Sequence, residues 1–274
     1  MNISEVKSEL GEGLFWCAQQ GILYWLDINN SMLFSFKEDN VHSHNLIEKA
    51  SAILDVDCQN IYLVSENGIF CFMIKSSKTF RVSQVPPKYS SNKYRTNDGT
   101  ILSKNLYLYG IMNNNPSRGD GALIVSKNGK DRVVYEGIAI PNTFIRIPHT
   151  NSLLISDSFE KKIIRFNFNN SWDQVLDKSI WLDLSSTNKT PDGGCISSSG
   201  RVFISIWDGF EVLELDLHGS VVDTFKLPVP RPTNCVLNSS EDSLFVTSAF
   251  EGLSKFTRKK YPLSGSVLTV NLNE

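Results

Sequence analysis

Five oxygen-bearing side chains come back at similar places in a repeating sequence. Each is an acid or an amide that lies eight to ten residues before a copy of one apolar pattern: Glu12, Asn97, Asn142, Asp192 and Asn234. Carboxylate and carboxamide oxygens are the ligands that hard divalent cations prefer. If the five side chains converge, they predict a site for Ca²⁺ or Mg²⁺ in which two carboxylates nearly neutralise the ion. The alternative is that Asn and Asp serve here only as turn residues.

The apolar pattern is seven residues long, and its third position is always large and apolar. Its six copies are ILYWLDI (22–28), NIYLVSE (60–66), NLYLYGI (105–111), SLLISDS (152–158), RVFISIW (201–207) and SLFVTSA (243–249). Most copies follow a turn-forming segment and precede a further strand-like segment. Short stretches of β-branched and aromatic residues between such turns are typical of antiparallel sheet.

The spacing of the copies, 38 to 49 residues, is that of propeller blades with about four strands each. The sequence therefore predicts an all-β fold, a six-bladed β-propeller forming one closed domain over 1–274. The segment GSVLTVNL (265–272) is predicted to be a strand that closes the blade shared with the N-terminus. A pair of β-sandwich domains is the structural alternative.

In a propeller, the five polar positions would enter the innermost strands and meet near the mouth of the central channel. Glycine or proline stands beside most of them, which fixes tight backbone turns there. The second repeat offers only Ser51-Ala52 at the corresponding place. The histidines fall in loops or outer-strand regions, which argues against a zinc site built from His and Cys: His42, His44, His149 and His218.

Composition excludes several classes of protein. The net charge of −2 and the pI near 6.1 argue against a general surface for nucleic acid or anionic membrane. The sequence has no apolar run of the ~18 residues that a membrane helix needs, and it has no signal peptide at its start. The five cysteines are scattered without a C-x-x-C pair, as in a reduced cytoplasmic protein. The basic run Arg258-Lys259-Lys260 is predicted to be a solvated loop.

Five stretches together resemble the SMP-30/gluconolactonase/luciferin-regenerating-enzyme family, whose members are also called regucalcin-like proteins. They are LGEGLFWCAQQGILYWLDI, YRTNDGTILSKNLYLYGIM, IPNTFIRIPHTNSLLISDS, PDGGCISSSGRVFISIWDG and LPVPRPTNCVLNSSEDSLFVTSAFEG. They come in the order of the family and cover nearly the whole chain. That combination is more specific than any single short motif.

The resemblance implies a six-bladed propeller that binds one divalent metal ion at the channel mouth and hydrolyses a sugar lactone. By motif match, Glu12, Asn142 and Asp192 are the expected metal ligands. The R-x-N-D-G stretch implies substrate contacts from Arg95 and Asn97, with Asp98 nearby. Ca²⁺ is the first expectation for the ion, with Mg²⁺, Mn²⁺ and Zn²⁺ as alternatives.

Two departures from the family pattern concern the substrate. Thr143 stands where the family usually has glycine, and this larger side chain is expected to narrow the site modestly. The stretch from Ser117 to Asp120 replaces the polar substrate-contacting residue that relatives carry before G-A-L. Trp207 also places a large ring near the mouth. The identity of the substrate therefore does not carry over with the fold.

The predicted function is that of a metal-dependent hydrolase that opens a sugar (aldono)lactone. The metal would polarise the carbonyl and activate water, and Asp192 would also receive the proton of the water. Pure metal ligation is the alternative role for Asp192. Arg95 would orient ring hydroxyls or share the oxyanion charge, with a surface ion pair as its alternative. The expected partner is a small molecule, with no nucleic acid or membrane, and the expected state is a monomer or weak dimer.

Three other functions stay open at this point. They are a non-catalytic calcium-binding or sensor propeller, a protein-interaction propeller, and a metal-dependent esterase with another class of substrate. Arg95 and Asn97 favour an enzyme, since a sensor does not need them. The absence of G-x-S-x-G, H-E-x-x-H and P-loop motifs argues against other hydrolytic chemistries. Asp27 and Asp157 are interpreted as turn or blade-packing residues.

Overall fold

The computed structural model describes Ile3 and residues 5–273. The domain prediction over 1–274 thus includes four positions, 1, 2, 4 and 274, that lie outside the described residues. Nearly all regular structure in the described part is β-strand. The exceptions are a 3₁₀ turn at Pro87–Tyr89 and one short helix, α1, at Lys255–Lys260.

The strands form six antiparallel sheets, one for each repeat of the sequence. In chain order they are β1 (Gly11–Cys17), β2 (Ile22–Asp27), β3 (Met32–Lys37), β4 (Asn40–Asn45); β5 (Ala50–Val56), β6 (Asn60–Ser65), β7 (Gly68–Met73), β8 (Lys78–Arg81); β9 (Tyr94–Ser103), β10 (Leu106–Asn113), β11 (Gly121–Lys127), β12 (Lys130–Ile138); β13 (Pro141–Arg146), β14 (Ser152–Asp157), β15 (Lys162–Phe168), β16 (Val175–Asp183); β17 (Thr190–Ile196), β18 (Val202–Trp207), β19 (Glu211–Leu215), β20 (Val221–Lys226); β21 (Pro232–Leu237), β22 (Ser243–Ser248) and β23 (Leu268–Asn271). The predicted fold class, a six-bladed β-propeller, is confirmed.

Two compact units divide the blades equally. The first comprises the described parts of Met1–Lys49 and Asn188–Glu274, and the second is Ala50–Thr187. In the first unit, the strands β17, β21 and β1, each the first of its blade, contact one another in that order. In the second unit, β5, β9 and β13 do the same. That the chain forms a single closed domain stays a prediction.

The repeated apolar pattern forms the second strand of every blade, as its composition predicts. These strands are β2, β6, β10, β14, β18 and β22. Each has a neighbour on both sides and is buried along most of its length, so large side chains are favoured there. Trp25 and Tyr109 are completely buried, and Trp25 stacks on Phe34 of the next strand.

The last strands of the four-stranded blades are polar or exposed, in contrast to the second strands. β16 and β20 leave Leu176, Ile180 and Val222 more than half exposed. The sheet of β21 to β23 has three strands, and Ile3 N donates to Val267 O just before β23. Burial thus falls from the second strand of a blade toward its last strand.

Two buried aspartates at the ends of second strands hold the segment that leads into the first strand. Asp27 accepts hydrogen bonds from Glu9 N (2.8 Å) and Leu10 N (3.3 Å), immediately before β1. Asp157 accepts from Ala139 N (2.8 Å) and Ile140 N (3.2 Å), immediately before β13. Their interpretation as turn and packing residues is confirmed, and through these bonds they fix the start of two first strands.

The basic run Arg258-Lys259-Lys260 is not a loop, so that prediction was wrong. It forms the last turn of α1, whose N-terminus is capped by Ser254 Oγ accepting from Thr257 N at 3.0 Å. The cations suit the partial negative charge at the C-terminal end of a helix. Among the described residues, no helix has the length and apolar character needed to cross a membrane.

Candidate active site

Five of the six first strands contain the same irregularity near their start. In β1, Glu12 pairs with Leu26 but the next pair is Phe15 with Tyr24. Gly13 and Leu14 therefore face one residue of β2, which is a β-bulge. Bulges change the direction of neighbouring side chains and are frequent beside active sites.

The other four bulges follow the same two-against-one arrangement. Their paired residues are Asn97 with Asp98 in β9, Thr143 with Phe144 in β13, Asp192 with Gly193 in β17, and Thr233 with Asn234 in β21. β5 also has a one-residue insertion near its start, between the pairs Ala50–Ser65 and Ala52–Val64, and it belongs to the one repeat without an acid or amide there. An irregular start is thus common to all six first strands, and five of them carry an acid or amide beside it.

The register shows that the five predicted polar residues do not occupy one equivalent position but three consecutive positions at the bulge. Glu12 and Asn142 stand immediately before the bulge. Asn97 and Asp192 are its first residue, and Asn234 is its second. The distance from the apolar pattern reflects this difference, since Glu12 and Asn142 lie ten residues before their copies and the other three lie eight or nine before theirs.

Thr143 has a strained backbone conformation in its bulge. Its φ is +80°, whereas Gly13 at the same position in β1 has φ of +58°. A β-branched residue in this region carries a cost of about 1–2 kcal/mol, which glycine does not. Thr143 Oγ1 lies 3.0 Å from Ser156 Oγ, a hydrogen bond that offsets part of the cost. The departure from the family's glycine is thus a strained position as well as a larger side chain.

The first unit brings the Asn234 side chain against Gly193, the residue after Asp192. A Cβ atom on Gly193 would lie 2.5 Å from Asn234 Cγ, so the glycine is what allows the amide to approach β17. Asn234 Oδ1 accepts from Cys235 N at 2.8 Å. Asp192 and Asn234 are buried, and Glu12 in the same unit is half-buried, with Oε2 accepting from Gly13 N at 3.3 Å.

The second unit links Arg95, Asn97 and Asn142 in one hydrogen-bond chain. Arg95 Nη1 donates to Asn97 Oδ1 at 2.7 Å, and Asn97 Nδ2 donates to Asn142 Oδ1 at 2.8 Å. Asn97 Nδ2 also donates to Pro141 O at 3.0 Å, while Asn142 Nδ2 donates to Ser158 Oγ at 3.1 Å. These bonds set which way the Asn142 amide points. Sequence reasoning did not find this positioning role of Asn97 and Ser158.

Asp98 lies next to Asn97 in the same bulge, and its side chain is buried. Burial raises the pKa of Asp98 to about 7, although N–H donors from Gly99 and Thr143 act in the opposite direction. The bond from Gly99 N to Asp98 Oδ1 is 2.7 Å long. A carboxyl group with a pKa near neutrality can hold or release a proton under physiological conditions.

Two further features lie near the predicted mouth residues. Trp207 pairs with Thr190, two residues before Asp192, and its ring lies under the Arg231 guanidinium at 4.7 Å. Arg231 Nε also donates to Asp208 Oδ1 at 2.6 Å.

In the other unit, residues of the substituted stretch 117–120 form hydrogen bonds with neighbouring residues. Arg118 makes two of them to Glu160, at 2.7 and 2.9 Å.

The predicted metal ligands are of the types that hard divalent cations prefer. Glu12 and Asp192 have carboxylate oxygens, and Asn142 has an amide oxygen, Oδ1, that accepts from Asn97 Nδ2. Within the part of the chain that the structure describes, no group of three or more His, Cys, Asp and Glu side chains is arranged to hold a metal. The predicted set has only two such side chains, Glu12 and Asp192, so these ligands stay a prediction.

Comparison with known proteins adds the family. Residues 10–250 match the SMP-30/Gluconolactonase/LRE-like region. The chain belongs to this family. It is 27% identical over 253 residues to an uncharacterized protein of Sulfolobus acidocaldarius, covering 91% of this chain and 90% of that protein. It is 24% identical over 272 residues to the L-arabinolactonase of Azospirillum brasilense, covering 97% of this chain and 89% of that enzyme.

Solved structures agree on the fold. A calcium-binding protein, regucalcin, from Agrobacterium tumefaciens superposes with a TM-score of 0.91 at 19% identity, covering 98% of this chain and 92% of that one. At this identity the likeness shows the propeller fold alone. The proteins that this chain resembles thus include one named as a lactonase and one named as calcium-binding.

Proposed function

We propose that the protein is a divalent-metal-dependent lactonase that hydrolyses a sugar (aldono)lactone. The observation that supports this most directly is the shared bulge, which places an acid or amide at the start of five first strands. The relatives named as lactonases, such as the L-arabinolactonase, supply the reaction type. A calcium-binding relative supports the class of ion.

The proposed metal ligands are Glu12, Asn142 and Asp192, and their assignment to one ion follows from the motifs of the family. Ca²⁺ is the proposed ion, with Mg²⁺, Mn²⁺ and Zn²⁺ as alternatives. When bound, a divalent cation would polarise the lactone carbonyl and lower the pKa of a water molecule. Asn97 Nδ2 donates to Asn142 Oδ1 and Asn142 Nδ2 donates to Ser158 Oγ, so Asn97 and Ser158 fix the direction in which the amide oxygen points.

Asp192 is the proposed acceptor of the proton from the attacking water. The water oxygen forms a bond to the lactone carbonyl carbon, and a carboxylate oxygen of Asp192 takes one water proton. When the ring C–O bond breaks, the leaving alkoxide takes a proton back. The product is the open-chain hydroxy acid, and Asp192 returns to its starting state.

Arg95 and Asn97 are the proposed substrate-binding residues. Arg95 uses one nitrogen, Nη1, for both Thr96 O and Asn97 Oδ1, which fixes its guanidinium group. The guanidinium group would donate to ring hydroxyls or to the developing oxyanion. Both N–H hydrogens of Asn97 have partners within the protein. Its contribution to substrate is therefore proposed to act mainly through Arg95 and Asn142.

The remaining expectations are part of the same proposal. A small-molecule substrate, a cytoplasmic location, and a monomer or weak dimer are proposed for this chain. A non-catalytic calcium-binding role is the second candidate, because the superposed structure from Agrobacterium tumefaciens is described as calcium-binding. A metal-dependent esterase with another class of substrate is the third.

The test measures ion binding and hydrolysis separately. Protein stripped with chelator is titrated with Ca²⁺, Mg²⁺, Mn²⁺ or Zn²⁺ by calorimetry, and acid release is followed with a panel of aldonolactones. Glu12→Gln removes one carboxylate, and we expect it to weaken ion binding at least about tenfold. The exposed Glu38→Gln is the matched control and should bind as the wild type does.

The outcomes separate the candidates. Activity that disappears with the ion and returns with one of the four supports the lactonase. Tight ion binding without hydrolysis of any lactone would overturn the lactonase and support the binding protein, and hydrolysis of simple esters alone would support the esterase. Ion binding that Glu12→Gln leaves unchanged would overturn the ligand assignment.

A further inference from the structure

A cleft with three cationic side chains lies in the first unit, apart from the bulged strands. It has a volume of about 290 Å³ and is lined by Lys7, Arg258, Lys259, Tyr261, Pro262 and Ser264. That volume is at the lower end of the range for small-molecule sites. The residues come from two parts of the chain, the segment before β1 and the segment from α1 toward β23.

The surrounding sequence is strongly biased in charge. Residues 252–273 contain four basic residues and no Asp or Glu, with Glu251 and Glu274 directly outside this range and Glu5 and Glu9 two residues either side of Lys7. No ion pair between Lys7, Arg258 or Lys259 and a carboxylate is found among the described residues. Like charges that are not ion-paired with a carboxylate repel one another, so an anion in the cleft would stabilise the arrangement.

The cations are positioned by neighbouring groups that do not neutralise them. The Arg258 guanidinium lies 4.0 Å from the centre of the Phe250 ring, a contact that fixes its plane. Lys7 Nζ donates to Pro262 O, which joins the two sides of the cleft. Stacking and a neutral acceptor leave the positive charge available to a ligand.

The walls of the cleft are tied by backbone bonds. Ser8 N donates to Gly265 O at 2.8 Å, and Tyr261 N donates to Thr257 O at 2.9 Å. Ser264 is buried and donates to Tyr261 O at 2.8 Å. The dipole of α1 accounts for cations in its last turn, but it does not account for Lys7, which comes from elsewhere in the chain.

We propose that this cleft is a binding site for a phosphate group. Arg and Lys side chains bind phosphate by charge-assisted hydrogen bonds, with Arg supplying a planar pair of donors and Lys a point charge. The cleft suits a phosphate ester or diphosphate of a small molecule, or the phosphate of a lipid headgroup. Such a ligand differs from a neutral lactone, so the proposal does not rest on the proposed function.

The test titrates sodium pyrophosphate into the protein by calorimetry, with sodium sulfate at equal ionic strength as the comparison anion. We expect saturable one-site binding of pyrophosphate that is weakened at least about tenfold in Arg258→Gln/Lys259→Gln, because each charged donor contributes strongly. Lys255→Gln removes the same charge from the same helix outside the cleft and should change binding less than twofold. Lys7→Gln tests the opposite wall without altering the helix.

The vesicle arm distinguishes the two sources of phosphate. Flotation with phosphatidylcholine vesicles that contain phosphatidic acid would show binding to a headgroup, with pure phosphatidylcholine as the control. Pyrophosphate binding without flotation supports a soluble ligand, and flotation that depends on Lys259 and Lys7 supports a headgroup. Equal weakening by Lys255→Gln, equal binding of sulfate, or no binding in either arm would overturn the proposal.

Discussion

Asp157 and Asp98 are buried aspartates of the same unit, and their surroundings are opposite. Asp157, at the end of a second strand, accepts hydrogen bonds from the backbone N–H groups of Ala139, Ile140, Phe159 and Glu160. Asp98, in a first-strand bulge, accepts from those of Gly99 and Thr143, and burial raises its pKa to about 7. Asp157 binds the main chain both before β13 and after β14. Asp98 has only two backbone donors, which do not offset the cost of burying its charge.

The difference distinguishes aspartates that support the fold from polar residues of the candidate site. Asp27 repeats the arrangement of Asp157 in the other unit, with N–H donors from Glu9, Leu10 and Asn30. A carboxylate surrounded by backbone donors stabilises the loop that supplies them. Four of the residues proposed to bind ion or substrate lie in a bulge or immediately before one, where the strand is irregular: Glu12, Asn97, Asn142 and Asp192.

Asp192→Asn should have the largest effect on the reaction. Loss of a group that accepts a proton in the transition state lowers kcat/KM by about 10²- to 10⁴-fold. Stability should change little, since the amide fills the same space. Steady-state rates with an active aldonolactone measure the loss. Asp157→Asn is the matched control, and a comparable loss of kcat in correctly folded Asp157→Asn protein would remove the distinction between the two regions.

Asp157→Ala should have the largest effect on stability. It leaves four backbone N–H groups without their acceptor, and the expected loss is about 3–5 kcal/mol in the free energy of unfolding. Urea denaturation measures it. Asp177→Ala, an exposed aspartate on β16, is the control and should be close to neutral. A loss below about 1 kcal/mol for Asp157→Ala would mean that water replaces the carboxylate.

Asp98 should make stability fall as pH rises. Its folded pKa, about 7, is above the unfolded value of 3.8, so the folded state keeps a proton that the unfolded state releases. The contribution of Asp98 to the free energy of unfolding is complete below pH 4. It is lost as the pH rises through about 7, and the total loss is at most about 4 kcal/mol. In Asp98→Asn this loss should be absent. Unfolding of both proteins with chelator present, across this pH range, checks it, and parallel curves would contradict it.

Thr143→Gly should have the smallest effect. Relief of the positive φ is worth about 1–2 kcal/mol, and it is offset by the lost bond to Ser156 and by the greater freedom of glycine in the unfolded chain. The net change should be within about 1 kcal/mol. Thr247→Gly is the control: Thr247 is also buried and hydrogen-bonded, without a positive φ, and should lose at least about 2 kcal/mol. Equal losses would mean that Thr143 is not strained.

The sequence predicted the elements that are repeated and missed those that are local. The second strands were predictable because six copies share large apolar residues with the period of a strand. The bulges were not, because an extra residue in one strand has no apolar signature. Gly13 and Gly193 are signals that can now be connected with them. α1 was missed because a six-residue basic segment has no helical pattern of its own.

The candidate site was predictable in its chemistry but not in its connections. Oxygen donors at repeated positions indicate a cation from residue type alone. That Asn97 orients Asn142, or that Asp98 is buried while Arg95 is half-buried, depends on contacts between neighbouring strands. Such contacts are set by register, which a single sequence does not specify.

The contact between Gly193 and Asn234 limits how this site can change in evolution. A methyl group on Gly193 would meet the Asn234 side chain at 2.5 Å. The two positions are therefore coupled: alanine at 193 requires the Asn234 side chain to leave its bond to Cys235 N or to be replaced by a smaller one. An amide held in this place at 234 thus favours glycine beside Asp192.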